Sequence, residues 1–506
     1  MRTTNTATAK PQVAANPQQD RKSPAQSKGA GAWSTSVFRH RAEFASTSAK
    51  ERVKSEADFP LIGTTTGDPG YGPRSPDQLM DQSMQSRLST RRTFQAGPVD
   101  IYRRTLLRNS VVGLGMLAAG SSLFACRQFD TNAGSSGEPI LQSRIPFLGP
   151  LEPGPDANGL RLPAGFTSRV VARSGAKPVD SADYLWHPAP DGGGVFATEA
   201  GGWVYVSNSE MWFTGGGVGA IEFSADGDIA DARSLLTGTS GNCAGGITPW
   251  GTWLSCEEDF YGGRGRVFEC DPMGVEAAVA YPAMGRFVHE AAVVDPQTHQ
   301  IYMTEDRSDG GFYRFTPSAP VLGDRSDLNS GLLEIAVAEG SWAEAGDAAP
   351  IRWEEVPNPA PTTRQTSTRN QVAASTAFDG GEGAWHSENS IYFSTKNDRN
   401  IWAYNIAESS LQLFYKDMPF EPDNVMASIG GEILVAEDGP GTQLVAITLE
   451  GELAPIIDLI GHDDSEITGP AFDPSGTRLY FSSQRGTTGS RQSGITFEVT
   501  GPFVGI

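Results

Sequence analysis

From about residue 160 onward, short apolar runs alternate with polar turns, and the pattern repeats. Six segments share one plan: an apolar run, a turn rich in Gly, Asp, Pro or Asn, then a run of alternating aromatic and β-branched residues. They are GGGVFATEAGGWVYVSNSE (192–210), NCAGGITPWGTWLSCEED (242–259), HEAAVVDPQTHQIYMTED (289–306), GEGAWHSENSIYFSTKND (381–398), DNVMASIGGEILVAED (423–438) and ITGPAFDPSGTRLYFSSQ (467–484). Alternation of this kind marks strands, and the Asp-Pro and Ser-Gly pairs between runs mark tight turns. Most steps from one second strand's end to the next are 40–48 residues, the length of one four-stranded propeller blade. The step from Glu305 to Asn397 is double and holds a Pro/Ala/Thr-rich stretch at 317–375, expected as an insertion on one face. The pattern predicts an all-β fold, a six-bladed β-propeller over 159–506. A β-sandwich or two smaller β domains is the alternative, and the regular period argues against both.

The chain before this region reads differently. Residues 1–100 are rich in Ser, Thr, Gln, Pro and Ala, with few large apolar residues, and are expected to be disordered because they cannot bury enough surface to offset ordering entropy. Residues 101–126 resemble an export signal: Arg103-Arg104 precede an apolar, Gly/Ala-rich stretch of signal length, too short and Gly-rich for a membrane span. Twin arginines are the address read by the Tat translocon, and Leu123-Phe-Ala-Cys126 fits the pattern before a lipidated cysteine. Signals normally stand at the N-terminus, so a start at Met80 or Met84 is expected in preference to a long prosegment. The expected location is the periplasm or cell envelope, with a lipid anchor at Cys126 as an option. Residues 127–158 are expected as a linker.

Charge narrows the partners. Lys and Arg number 17 and Asp and Glu 9 up to Cys126, against 22 and 51 beyond it. So acidic a body excludes nucleic acid, whose phosphates demand the opposite sign. Most of these acids are expected to be solvated surface groups; the sharper reading gathers some around cations.

In a propeller, equivalent strand ends converge on the channel mouth. The aligned repeats place two rings of polar residues there. One precedes the first strands: Asn242-Cys243, His289-Glu290, Glu382, Asp423-Asn424 and Glu466. The other ends the second strands: Glu210, Glu257-Glu258, Glu305-Asp306, Asp398 and Glu437-Asp438. Converging carboxylates repel unless cations or protons neutralise them. Oxygen-only sites suit calcium, and a thiolate among them better suits a transition metal such as iron. Cys256 and Cys270 are read either as a disulfide across two strands or as two buried thiols. With Cys126 in the signal, Cys243 is left over and is read as a metal ligand, a core thiol being the alternative.

NCAGGITPWGTWLSCEED, GRFVHEAAVVD (285–295), the aromatic-rich fourth repeat and SEITGPAFDPSGTRLYFSS (465–483) resemble the PhoX-type alkaline phosphatases over residues 160–490. The resemblance implies a Tat-exported six-bladed propeller that hydrolyses phosphate esters at a cluster of ferric iron (Fe3+) and calcium (Ca2+). It implies Cys243 as iron ligand, Glu258 or Glu257 with Glu290 and Glu382 as cluster carboxylates, and Glu210, Glu305, Asp423 and Glu437 as calcium candidates. The family's arginine two residues before the fourth-repeat glutamate is Gly380 here, so Arg485 and Arg307 become the candidates to hold phosphate, a surface role being the plainer reading of each. The expected function is therefore a periplasmic metal-dependent phosphoesterase, acting as a monomer on small phosphate esters. The alternative is a non-catalytic calcium-binding propeller for a partner or glycan, and a lactonase is a third option by fold analogy.

Overall fold

The computed structural model describes residues 141–321, 324–439 and 441–506. The extension read as disordered, the twin-arginine signal with Cys126 and the first part of the linker lie outside the described residues.

The described chain is all-β apart from short 3-10 turns, and its sheets form a propeller-like arrangement. Each repeat opens with a strand: Pro190–Ala197, Asn242–Ile247, His289–Val294, Gly381–Ser387, Glu421–Ala427 and Ile467–Phe472. Each of these first strands packs on the first strand of the next repeat, and the last packs back on Pro190–Ala197, so they close a ring. Glycine makes the approach possible. A Cβ at Gly246 would stand 2.0 Å from the Ala292 carbonyl oxygen, and one at Gly383 would stand 2.6 Å from the Asn424 Cα. Any side chain there would push neighbouring strands apart.

Outside the ring, the aromatic positions of the second and third strands fill the spaces between sheets. Tyr302, Phe312, Phe393 and Trp402 share one buried cluster, with Phe312 and Phe393 stacked at 4.5 Å. Tyr205, Phe223 and Tyr480 share another. Such rings each bury large apolar areas, which is where the stability of the sheet packing resides.

Six separate sheets, expected from the repeats, are not what the structure contains. Three sheets have four strands, one has five and one has nine, beside a two-stranded pair. The nine-stranded sheet holds both the third and the fourth repeat. Ala348–Glu355 pairs with Gly331–Ala338 on one side and with Ser410–Tyr415 on the other, joining the two. Part of the stretch expected as an insertion is therefore sheet. In Gly331–Ala338 the alternating Leu333, Ile335 and Val337 enter one buried cluster and Ala336 enters another, so the strand is covered on both faces.

Closure joins the chain's ends. Thr167–Arg173 completes the last sheet beside Ile495–Thr500, and Gln142–Ser143 pairs with Val504–Gly505. Ile145 is 1% exposed within the core around Leu160 and Phe481. Residues from Gln142 thus belong to the fold, although a linker was expected up to 158.

The strand register also decides the cysteine question. Cys256 stands opposite Val267 and Cys270 opposite Trp253, so the two do not face each other. Both are buried free thiols, and the disulfide reading falls.

Candidate metal centre

One irregularity recurs in every repeat. Near the start of each first strand, two residues oppose one on the partner, between Pro190 and Gly193, Asn242 and Gly245, His289 and Ala292, Gly381 and Ala384, Pro422 and Val425, and Thr468 and Ala471. A bulge of this kind bends the strand and re-aims the extra side chain. The first residue inside each bulge is Asp191, Cys243, Glu290, Glu382, Asp423 and, in the last repeat, Gly469. Five of six bulges thus carry a carboxylate or a thiol.

A second set follows from the same pairing. The residue just past the bulge's opposite partner is Glu210, Glu258, Asp306, Lys396 and Asp438 in the first five repeats. In the sixth, Ser483 holds that place, and Gln484 and Glu466 reach the site from either side.

These residues gather into three groups whose possible ligand atoms lie within 4.8 Å of one another: Cys243 with Glu258 and Glu290, Glu290 with Glu382 and Asp423, and Asp191 with Glu210 and Glu466. Glu290 belongs to two groups. Its Oε1 is buried without a hydrogen-bond partner, which is costly unless a cation or proton meets it. The Cys243 thiol lies 3.6 Å from the Asp191 carboxylate, so the first and third groups adjoin.

Protein cations balance part of this charge. Lys396 Nζ lies 2.7 Å from Glu382 Oε1 and 3.2 Å from Asp438 Oδ2. Arg485 donates to Glu466 at 2.8 Å, and Arg491 lies 2.9 Å from Glu210. The Gln484 amide donates to Asp191 at 2.7 Å and to Glu210 at 3.0 Å, holding the two acids together. Nine carboxylates against three cations leave a deficit. Burial, then the Glu210 charge, pushes Asp191 up to about 7. Burial, then neighbouring acids, raises Glu258 and Glu290. Burial also raises Glu382 and Asp423, which Lys396 partly offsets. The Cys243 thiol is raised well above its ordinary range by burial, then by Asp191, Glu290, Glu258 and Glu210. Left to themselves these groups would keep protons; multivalent cations would reverse that preference. The donor sets fit: sulfur with oxygen at the first group suits iron, and oxygen alone at the other two suits calcium.

The structure brings Cys243, Glu258, Glu290, Glu382, Glu210 and Asp423 together. It does not bring Glu257, Glu305 or Glu437 with them. Each of these is the bulge partner itself, one residue early, and successive side chains point to opposite faces of a strand. Glu257 instead accepts from the Gly265 amide at 2.9 Å and Arg266 at 3.2 Å. Glu305 accepts from the Tyr313 hydroxyl at 2.7 Å and Arg369 at 2.8 Å, and Glu437 from the Gln443 amide at 3.1 Å. Arg485 stands at the site, whereas Arg307 is exposed and makes no side-chain hydrogen bond or ion pair with the cluster.

Asp191, Lys396 and Gln484 were missed in the sequence. Asp191 escaped because the aligned repeat opens one residue later, at Gly192. Lys396 occupies the place held by an acid in four of the five other repeats, so its side chain breaks the acidic pattern that marks the ring. Gly380 has φ +76°, and a Cβ there would stand 2.9 Å from the Asn397 amide nitrogen. A left-handed glycine thus stands where an arginine was looked for, and Lys396 enters from the neighbouring strand end.

Comparison with known proteins bears on the family and the fold. The family model described as alkaline phosphatase PhoX matches residues 201–411. Pseudomonas fluorescens PhoX, solved with the transition-state analogue vanadate, is 17% identical, with a TM-score of 0.58, covering 70% of this chain and 98% of that one. A gluconolactonase from Xanthomonas campestris is 15% identical with a TM-score of 0.39, covering 70% of this chain and 98% of that one. Virginiamycin B lyase from Staphylococcus aureus is 13% identical with a TM-score of 0.37, covering 66% and 99%. No curated protein matches the chain. Over residues 201–411 the chain matches the alkaline phosphatase PhoX family, and it carries that match on the fold of a solved PhoX phosphatase.

Proposed function

We propose that this protein is an exported metal-dependent phosphoesterase, with iron at Cys243, Glu258 and Glu290 and calcium at the two oxygen-only groups. We read the nine-stranded sheet as two joined blades, which keeps a six-bladed count in step with the six first strands that close the ring. One observation carries the functional reading: bulges in five first strands aim four acids and a thiol at one mouth, in a chain matched by a phosphatase family.

Bound there, the cations would draw charge from the phosphate's oxygens and provide a nucleophile near neutral pH. The chain's own residues set the stage. Gln484 fixes Asp191 against Glu210, and Asn424 donates to Asp423 at 2.9 Å. Lys396 holds Glu382 and Asp438. Arg485, whose side chain is 25% exposed between Glu466 and Asp438, is the guanidinium placed to meet a phosphate oxygen at the mouth. The twin-arginine signal supports delivery to the periplasm or cell envelope, and Cys126 supports a lipid anchor there.

Protein purified after export by its native route, loaded with iron and calcium, is expected to hydrolyse p-nitrophenyl phosphate at alkaline pH. Arg485→Ala is expected to lower kcat/KM at least about tenfold, the value of one charged hydrogen bond. Fully loaded protein that binds calcium without turnover would instead mark a non-catalytic propeller.

A further inference from the structure

A small cavity of 80 Å³ is lined by Arg286, Arg307, Arg369 and Glu305, with Phe260, Phe287, Val288 and Ser367 completing its wall. Its walls are chain neighbours of the candidate ligands. Phe260 lies two residues after Glu258, Val288 two before Glu290, and Arg307 directly after Asp306.

Its charge differs from that of the rest of the acidic body. Arg286 is half-buried, yet its guanidinium donates only to carbonyls, those of Arg264 at 2.8 Å, Pro361 at 3.0 Å and Phe260 at 3.3 Å. It also lies over the Phe260 ring at 5.3 Å. Carbonyls orient a guanidinium without cancelling its charge. Arg307 likewise has no carboxylate partner among the described residues. Arg369 is already engaged, by Glu305 at 2.8 Å and Asp309 at 2.7 Å, and that pairing fixes the wall it forms. Two uncompensated guanidinium groups therefore face one cavity.

The loop after Ala348–Glu355 builds this place. The Pro359 carbonyl accepts the Arg286 amide at 2.8 Å, Pro361 accepts its guanidinium, and Ser367 and Arg369 close the side. The Pro/Ala/Thr-rich segment thereby acquires a use that its sequence does not announce.

We propose that this cavity binds a second phosphate group of the substrate, so that the enzyme favours small molecules with two phosphates over those with one. The cavity's volume is on the scale of one tetrahedral oxyanion. Paired guanidinium groups are the side chains best suited to phosphate oxygens. This assignment rests on the phosphoesterase reading for its kinetic consequence.

The test compares iron- and calcium-loaded wild type with Arg307→Ala, Arg307→Glu and Arg307→Lys. Substrates are fructose 1,6-bisphosphate against fructose 6-phosphate, and ADP against AMP, which separates sugar from nucleotide sources. Wild type is expected to favour at least one doubly phosphorylated member by about tenfold in kcat/KM, the value of a charged hydrogen bond. Arg307→Ala is expected to raise KM more for that substrate than for its monophosphate, Arg307→Glu further still, and Arg307→Lys least. Equal rates on both members of each pair, or equal losses on both in Arg307→Ala, would overturn the assignment. Should the loaded protein hydrolyse neither pair, its activity on p-nitrophenyl phosphate shows whether the phosphoesterase reading has failed as well. Calorimetric binding of fructose 1,6-bisphosphate then decides the cavity: binding weakened by Arg307→Ala supports it, and binding unaffected by that change sinks it.

Discussion

Lys396 Nζ sits 2.7 Å from Glu382 Oε1, and this pair sets a cation at one strand's end against an acid in the bulge of the strand beside it. Glu382 is the bulge residue of the fourth repeat, and Lys396 follows that bulge's partner, where the other repeats place Glu210, Glu258, Asp306 and Asp438. Despite burial, Glu382, Asp423 and Asp438 hold the ammonium protonated. The fourth sector thus carries a cation of its own.

Removing that cation strands the buried Glu382 and Asp423 and the half-buried Asp438. Lys396→Gln is expected to destabilise chelator-treated protein by about 3 kcal/mol, the cost of breaking a buried ion pair on one side. Added calcium is expected to recover most of the loss, because a divalent ion can take the ammonium's place. Thermal melts with and without calcium check this; an equal loss in both conditions would deny Lys396 its neutralising role.

Cys243 alone among the candidate ligands supplies sulfur. In Cys243→Ser, iron content is expected to fall by more than the roughly 10–100-fold that losing an outer partner costs. Calcium content is expected to stay near wild type, since Glu382 and Asp423, and Asp191 with Glu210, remain. Elemental analysis of exported protein reads both at once. Loss of calcium with iron retained would reverse the assignment of the two metals.

Neighbours Glu257 and Glu258 separate structure from chemistry. Glu258→Gln is expected to lose iron while folding normally. Glu257→Gln is expected to keep its metals but to lose about 1–3 kcal/mol, because the Arg266 guanidinium and the Ser240 and Gly265 amides lose their charged acceptor. Metal analysis beside urea unfolding tests the pair, and iron loss in Glu257→Gln would return that residue to the ligand set.

That pair also measures what the sequence could disclose. The six repeats, the convergence of acids and the odd cysteine were legible because period and composition carry them. The register was not. Whether Glu257 or Glu258 faces the mouth depends on a bulge at Cys243, and a one-residue slip reverses every side chain. The join between the third and fourth repeats was hidden for another reason: Ala348–Pro350 pairs with Ser410–Gln412 some sixty residues on, and local patterning holds no trace of that partner.

Away from the metal groups, His187 ties stability to pH. Its ring is 7% exposed, with Nδ1 3.0 Å from the Tyr184 hydroxyl and Nε2 3.2 Å from Ser207 Oγ. Burial lowers its pKa to about 3. The folded state therefore keeps the ring neutral, while the unfolded chain takes a proton below about 6.5. Between those values the unfolded state binds more protons, so stability falls as pH falls, by up to about 1.4 kcal/mol per pH unit. The site's acids, with raised values, act in the opposite sense, and comparison with a variant removes them. His187→Gln retains an amide to meet Tyr184 and Ser207 and cannot titrate. Between pH 7.5 and pH 4.5, wild type is expected to lose up to about 3 kcal/mol more than His187→Gln in urea unfolding of chelator-treated protein. Equal losses would mean that His187 is either protonated in the fold or not the source of the dependence.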